Sequence, residues 1–174
     1  MEMDNAKLAA DLKMAMRGFA QSVVIVSTVG NDGARYAMAA TAVTPVSMDP
    51  PSMLICVNRT ASSHAILEGG ANFALNILHR DQMDVARVCG GAAKGEERFT
   101  VGNWQTDAHG VPYLADAQAA IICHQRQRIS YGSHDIFIGD VQAVRGTGVD
   151  GTAADGINPL VYFNGGYRIV GDPV

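Results

Sequence analysis

The residues best suited to chemistry are concentrated in one stretch, "AMAATAVTPVSMDPPSMLICVNRTASSH" (37–64). It opens with the small side chains Ala37, Ala39, Ala40 and Ala42, interleaved with Thr41 and followed by Thr44 and Ser47. Small residues on a strand let a flat ring lie close to backbone, and the hydroxyls offer it hydrogen bonds. The same alanines would equally suit a strand packed tightly against another. Further on, Asn58, Arg59, Thr60, Ser62 and Ser63 surround the expected start of a short helix. Free N–H groups with hydroxyls and one guanidinium suit a phosphate, and they also suit plain helix capping. Taken singly, Arg98 reads as a loop salt bridge, His134 as a hairpin histidine, and Tyr162 and Tyr167 as core aromatics. His64, His79, His109 and His124 show no ligand spacing and are assigned no chemistry.

Two other patterns are set aside. "GTGVDG" (146–151) spells the dinucleotide signature G-x-G-x-x-G after a strand. That signature works only where a helix then starts and points its N-terminus at the pyrophosphate. Here "TAADGINP" follows, rich in turn formers, so a surface loop is expected. Cys56, Cys89 and Cys123 are widely spaced, with no CxxC and no zinc spacing, so no metal site is expected.

The elements that must hold these residues follow from periodicity. Residues 5–19 carry Leu8, Leu12, Ala15, Met16 and Phe19 at helical spacing, with Asp4 or Asn5 as cap. Strands are expected at 22–29, 34–43, 52–58 and 72–78, with prolines 50 and 51 breaking the sheet. Short helices are expected at 60–70, ended by Gly69–Gly70, and at 81–90, capped by Asp81. Two long strands, 117–129 and 134–144, form a hairpin whose "HQRQRISY" is a solvated face, and 159–170 offers two short strands. Many strands joined by short turns with few helices argue for a mainly β, antiparallel barrel in one domain, 1–174.

The 174 residues are 48% apolar and 17% charged, with a net charge of −4 and no Lys/Arg run. That is a globular composition without the electrostatic footprint of a nucleic-acid binder. The N-terminus lacks a signal-peptide pattern, no apolar run is long enough to cross a membrane, and the cysteine count is odd. A cytoplasmic protein is the expectation.

Read together, "TAVTPVSMDPPSMLICVNRTASS" (41–63), "NFALNIL" (72–78), "ERF" (97–99), "GVPYLADA" (110–117), "YGSHDIFIGDV" (131–141) and "PLVYFNGGY" (159–167) resemble the short-chain flavin reductases, in the family's order. These are the reductase components of two-component flavin monooxygenases. The resemblance implies a split β-barrel with peripheral helices, a homodimer with flavin sites near its interface, FMN or FAD as flavin, and NADH or NADPH as electron donor. It implies that the reduced flavin passes to a partner flavin-dependent monooxygenase. It places the ring against Ala39, Ala40, Thr41, Ala42 and Thr44, with Ser47 near its pyrimidine edge. It puts the phosphate on Asn58, Arg59, Thr60, Ser62 and Ser63, and Arg98 near the phosphate-bearing tail. Tyr162 and Tyr167 become flavin contacts, and His134 becomes the catalytic residue beside the nicotinamide. This chain has Ser133 where the family often has Asp or Thr. Two rivals share the fold: a non-catalytic flavin- or haem-binding protein, and a reductase that keeps its flavin and reduces another acceptor such as ferric chelates.

Overall fold

The computed structural model describes residues 5–146 and 156–171. Most of "GTGVDG" lies outside the described residues. Among the described residues, helix α1 (Asn5–Met16) is followed by twelve strands: β1 (Gln21–Ser22), β2 (Val24–Val29), β3 (Arg35–Ala40), β4 (Val43–Met48), β5 (Pro51–Asn58), β6 (Phe73–Ile77), β7 (Trp104–Thr106), β8 (Pro112–Leu114), β9 (Ala119–Tyr131), β10 (His134–Gly146), β11 (Leu160–Phe163) and β12 (Gly166–Ile169). Between β5 and β6 lies α2 (His64–Glu68). Between β6 and β7 lie α3 (Met83–Arg87), a wide π-turn (Val88–Ala92) and a 3₁₀ turn (Gly95–Phe99).

Seven strands form one antiparallel sheet in the order β3-β2-β6-β9-β10-β5-β4. Its two edge strands, β3 and β4, are consecutive in sequence and separated by only Thr41 and Ala42. Chain continuity therefore brings the edges together at that corner, and the sheet rolls into a split barrel. All seven strands feed the interior, through Met38, Val26, Leu75, Cys123, Phe137, Ile55 and Val43 among others. Strand β2 is buried on both faces: Val24 and Val26 point inward, while Ile25, with Val23 just before the strand, packs outward against α3 and the π-turn. Buried apolar area on this scale stabilises by about 25 cal/mol per Å².

Two polar devices position the smaller parts. The fully buried Asn76 donates to Ile25 O (2.9 Å) and Ser27 Oγ (3.0 Å) and accepts from Leu114 N (2.7 Å), pinning the β7–β8 ribbon onto the barrel. Leu160 N donates to Leu78 O, and Val23 N donates to Leu160 O, both at 2.8 Å, which fixes the β1-β11-β12 sheet beside β2. At Gly139, a Cβ would stand 2.9 Å from Cys123 Cβ and 3.0 Å from Phe73 Cζ, so only glycine lets β10 approach there.

Several expectations are corrected. The strand expected at 34–43 is two strands, broken at Thr41–Ala42. Pro45 sits inside β4, tolerated because β4 is an edge and carries a bulge between Pro45 and Ser47. Neither short helix uses its expected side-chain cap. Gln82, not Asp81, precedes α3, and Asp81 instead lies 3.3 Å from His79 Nδ1. Ser63 precedes α2 but makes no capping bond.

Candidate active site

The Thr41–Ala42 corner is the centre of the site. The turn is held by Val43 N donating to Thr41 O and by Cys56 N donating to Ala42 O, each at 3.0 Å. Three adjoining cavities share Thr41 as a wall. One of about 260 Å³ is lined by Val23, Ala39, Ala40, Thr41, Gly90, Tyr162 and Tyr167. A second, also about 260 Å³, runs over Val24, Val43, Pro45 and Met53. A third of about 290 Å³ opens toward Lys13, Arg17, Phe19 and Tyr162. Together they make a groove with a flat, small-residue floor and aromatic sides. The Tyr162 and Tyr167 rings meet edge to face at 5.6 Å, and burial pushes the Tyr167 phenol upward.

Gly90 lies beside Ala39 in the cavity lining: a Cβ there would lie 3.7 Å from Tyr167 Oη and 3.9 Å from Ala39 Cβ, ordinary contact distances. Any larger side chain would fill space that a planar ring needs, so this cradle fits a flavin. Arg98 braces the same wall. Its Nε donates to Ala93 O (3.0 Å) and its Nη1 to Ala37 O, tying the turn after Gly90 to β3. Sequence reasoning missed Gly90 and Val23.

Thr44 and Ser47 are not brought to this groove. Alternation along β4 turns Val43 and Pro45 toward the cavity and Thr44 to the other face. Ser47 lies near the far end of β4, where its hydroxyl bonds Asp49 in the turn. Ala42 is exposed at the corner.

The phosphate candidates lie on the other side of the corner, where β5 runs on from Cys56 to Asn58. Asn58 Oδ1 accepts from Thr60 N and Thr60 Oγ1, both at 2.9 Å, which folds the loop back on itself. Arg59, Thr60 and Ser62 are exposed. Ser63 is 1% exposed, and its hydroxyl donates to Met38 Sδ (3.1 Å), so it anchors the loop and is not presented to a ligand. His134 pairs across the sheet with Asn58, and Arg59 N donates to Ser133 O (3.1 Å). Long-range pairing thus joins the histidine to the phosphate loop. Ser133 Oγ lies 2.9 Å from His134 Nδ1, which leaves Nε2 as the nitrogen for a ligand.

Beneath this loop is a buried pair that sequence reasoning passed over. Asp135 Oδ2 stands 2.9 Å from His64 Nε2, and Asp135 Oδ1 accepts from Arg59 Nε at 3.0 Å. The available signal was a carboxylate in phase with the inward-facing Phe137 and Gly139. Burial acts to raise the Asp135 carboxyl, but hydrogen bonds from His64, Arg59 and Ser130, with the Arg59 charge, bring it down to about 2. The folded state holds this carboxylate ionised below its ordinary value near 4. Its contribution to stability is therefore full above about pH 4 and lost as pH falls toward 2. Denaturant midpoints of the wild type should drop over that window, and Asp135→Asn should flatten the drop; parallel curves for the two proteins would contradict it.

Burial pushes the Cys89 thiol up to about 11 and the Cys123 thiol up to about 12, so neither is a thiolate near neutrality. Among the described residues no cluster of three metal-ligating side chains occurs.

The flavin reductase like domain family matches residues 16–171, nearly the whole chain. This chain belongs to that family. Among relatives of the flavin reductase, the FADH(2)-dependent resorcinol hydroxylase reductase component of Rhizobium sp. (strain MTP-10005) is 35% identical, covering 90% of this chain and 84% of its own. The FMN reductase (NADH) RutF of Pseudomonas syringae pv. syringae (strain B728a) is 37% identical over 88% and 82%. The solved NADH:FAD oxidoreductase SgcE6 of Streptomyces globisporus C-1027, in complex with NAD and FAD fragments, superposes with a TM-score of 0.81 at 27% identity, covering 97% of this reductase and 96% of its own chain.

Proposed function

We propose that this flavin reductase works at the groove round Thr41, with the flavin ring on Ala39, Ala40 and Thr41 and the phosphate on the loop from Asn58 to Ser62. It is an NAD(P)H:flavin oxidoreductase that reduces FMN or FAD and supplies reduced flavin to a partner monooxygenase. The observation that carries this placement is the convergence of three cavities on Thr41, walled by Gly90 and the Tyr162–Tyr167 pair. Bound flavin and nicotinamide supply the hydride chemistry themselves. The protein holds both rings in place, and that positioning is a large part of what an enzyme of this kind contributes. Ala39, Ala40 and Gly90 keep the floor flat, and Tyr162 and Tyr167 close one side. Thr41 brings a hydroxyl to the corner, and His134 Nε2 is offered to the nicotinamide. Arg98 acts through the wall it braces.

The groove opens widely, which suits a flavin that binds and leaves as a substrate. NADH oxidation should rise and saturate with added free flavin, tested by crossing NADH and NADPH with FMN and FAD. A rate indifferent to added flavin would reject the substrate-like role. His134→Ala should lower kcat/KM for the nicotinamide about tenfold while leaving the flavin Kd unchanged. Equal loss of both, or of neither, would remove His134 from the mechanism.

The same proposal includes one domain, a homodimer and a cytoplasmic setting. Helix α1 buries no residue; Leu8, Leu12 and Met16 are 48%, 58% and 52% exposed along one stripe of it, and Phe19, just past its end, is 65% exposed. An apolar stripe of this kind calls for a partner surface, and a second copy supplies one. None of the described helices is long and apolar enough to cross a membrane.

A further inference from the structure

The charges beneath the 58–63 loop are more than ring-binding requires. Asp135 is 1% exposed, and a carboxylate so far from water is costly unless its oxygens are bonded. Here both are: Oδ1 by Arg59 Nε, and Oδ2 by His64 Nε2, with Arg128 Nη1 3.7 Å from the same oxygen. His64 is itself 6% exposed and stands edge-on to Phe137, with ring centroids 5.9 Å apart. The carboxylate is thus a rigid point set by β10, α2 and the barrel core.

Arg59 meets that point through Nε alone. Its side chain is nearly half exposed, and among the described residues its terminal Nη atoms have no protein partner. A guanidinium is a planar fork, so fixing Nε fixes the direction of the Nη pair. Arg59 belongs to the exposed part of the loop with Thr60 and Ser62, and its neighbour Asn58 pairs with His134 across the sheet. We propose that Asp135, held by His64, is a positioning residue that grips Arg59 through Nε and aims its Nη pair at the phosphate of a bound flavin. Because Asp135 follows His134 directly, and Arg59 N bonds Ser133 O, the same clamp locks the phosphate loop to the turn that carries the histidine. The inference rests on the reading of residues 58–62 as the phosphate site.

FMN and riboflavin differ by the phosphate, so their affinities separate the clamp from a purely structural role. Quenching of flavin fluorescence would give Kd for both ligands with the wild type, Asp135→Asn, Arg59→Gln and the double variant. The wild type should prefer FMN. Asp135→Asn should weaken FMN about tenfold, the size of one charged hydrogen bond, and leave riboflavin unchanged. In the Arg59→Gln background it should add nothing further for FMN. Equal losses for both ligands, or additive losses for FMN, would overturn the clamp while leaving the phosphate site standing. A wild type that binds FMN and riboflavin alike would overturn the phosphate site, and the clamp with it. Should Asp135→Asn fail to fold, Arg59→Lys keeps the charge but not the fork. It should show the same FMN-selective loss, and undiminished FMN binding would overturn the proposal.

Discussion

Replacing Gly90 by leucine is expected to weaken flavin binding at least about a hundredfold while leaving the fold intact. Gly90 faces the cavity of about 260 Å³ whose other walls are Val23, Ala39, Ala40, Thr41, Tyr162 and Tyr167. The first added carbon meets nothing closer than 3.7 Å, so the protein accepts it without strain. On the proposed placement, the remaining carbons would compete with the ring for the cavity that Gly90 lines. Leucine is also a better helix former than glycine, which favours the turn itself. The measurement is a pair: flavin Kd by fluorescence quenching, and the thermal unfolding midpoint. Lost binding with an unchanged midpoint is the expected result. Undiminished binding would mean that the ring does not lie over Ala39 and Ala40, and the site would have to move to the neighbouring cavities beyond Thr41.

What was legible in the sequence divides along the range of the interactions involved. Strand β2 is a β-branched run, β5 and β6 are short apolar-rich runs, and all three are bounded by turn formers, so their local pattern is enough to read them. Strand β4 was illegible because its Pro45 has no N–H to give a ladder, and only its place at the sheet edge makes that residue tolerable. Strands β7 and β8 are three residues each, too short for a period, and what holds them is the distant amide of Asn76. Capping expectations failed for Ser63 because a distant partner, Met38, took its hydroxyl, and for Asp81 because its near neighbour His79 drew the carboxylate. The site divides the same way. The alanine-threonine stretch, the phosphate loop, the two tyrosines and His134 were all recognisable by type and order. That Ala39, Ala40 and Thr41 share a cavity with Tyr162 and Tyr167 depends on the long-range pairing that sets β11 and β12 beside β2. Gly90 is one of a glycine pair with no local mark of function, and His64 looked inert because its partner Asp135 lies 71 residues away.

Phe137→Ala should be the most damaging single truncation in the barrel, costing about 3–5 kcal/mol. Phe137 has no solvent exposure and packs at the centre of the cluster formed by Val24, Val26, Ile55, Val57, Phe73 and Leu75. The cost of such a change depends on how far the surroundings collapse into the space left behind. Here β10 is hydrogen-bonded to β5 on one side and β9 on the other, so the strands resist moving inward. The upper half of the range is therefore expected, against a total stability of about 5–15 kcal/mol for an ordinary domain. The loss should appear in urea as a lowered midpoint with an unchanged slope. It should also reach the site, because the His64 ring rests edge-on against Phe137 and would be free to tilt away from Asp135. FMN affinity should then fall more than riboflavin affinity in whatever fraction remains folded. A loss below about 1 kcal/mol would be too small for a filled barrel interior and would require a core loose enough to close over the missing ring.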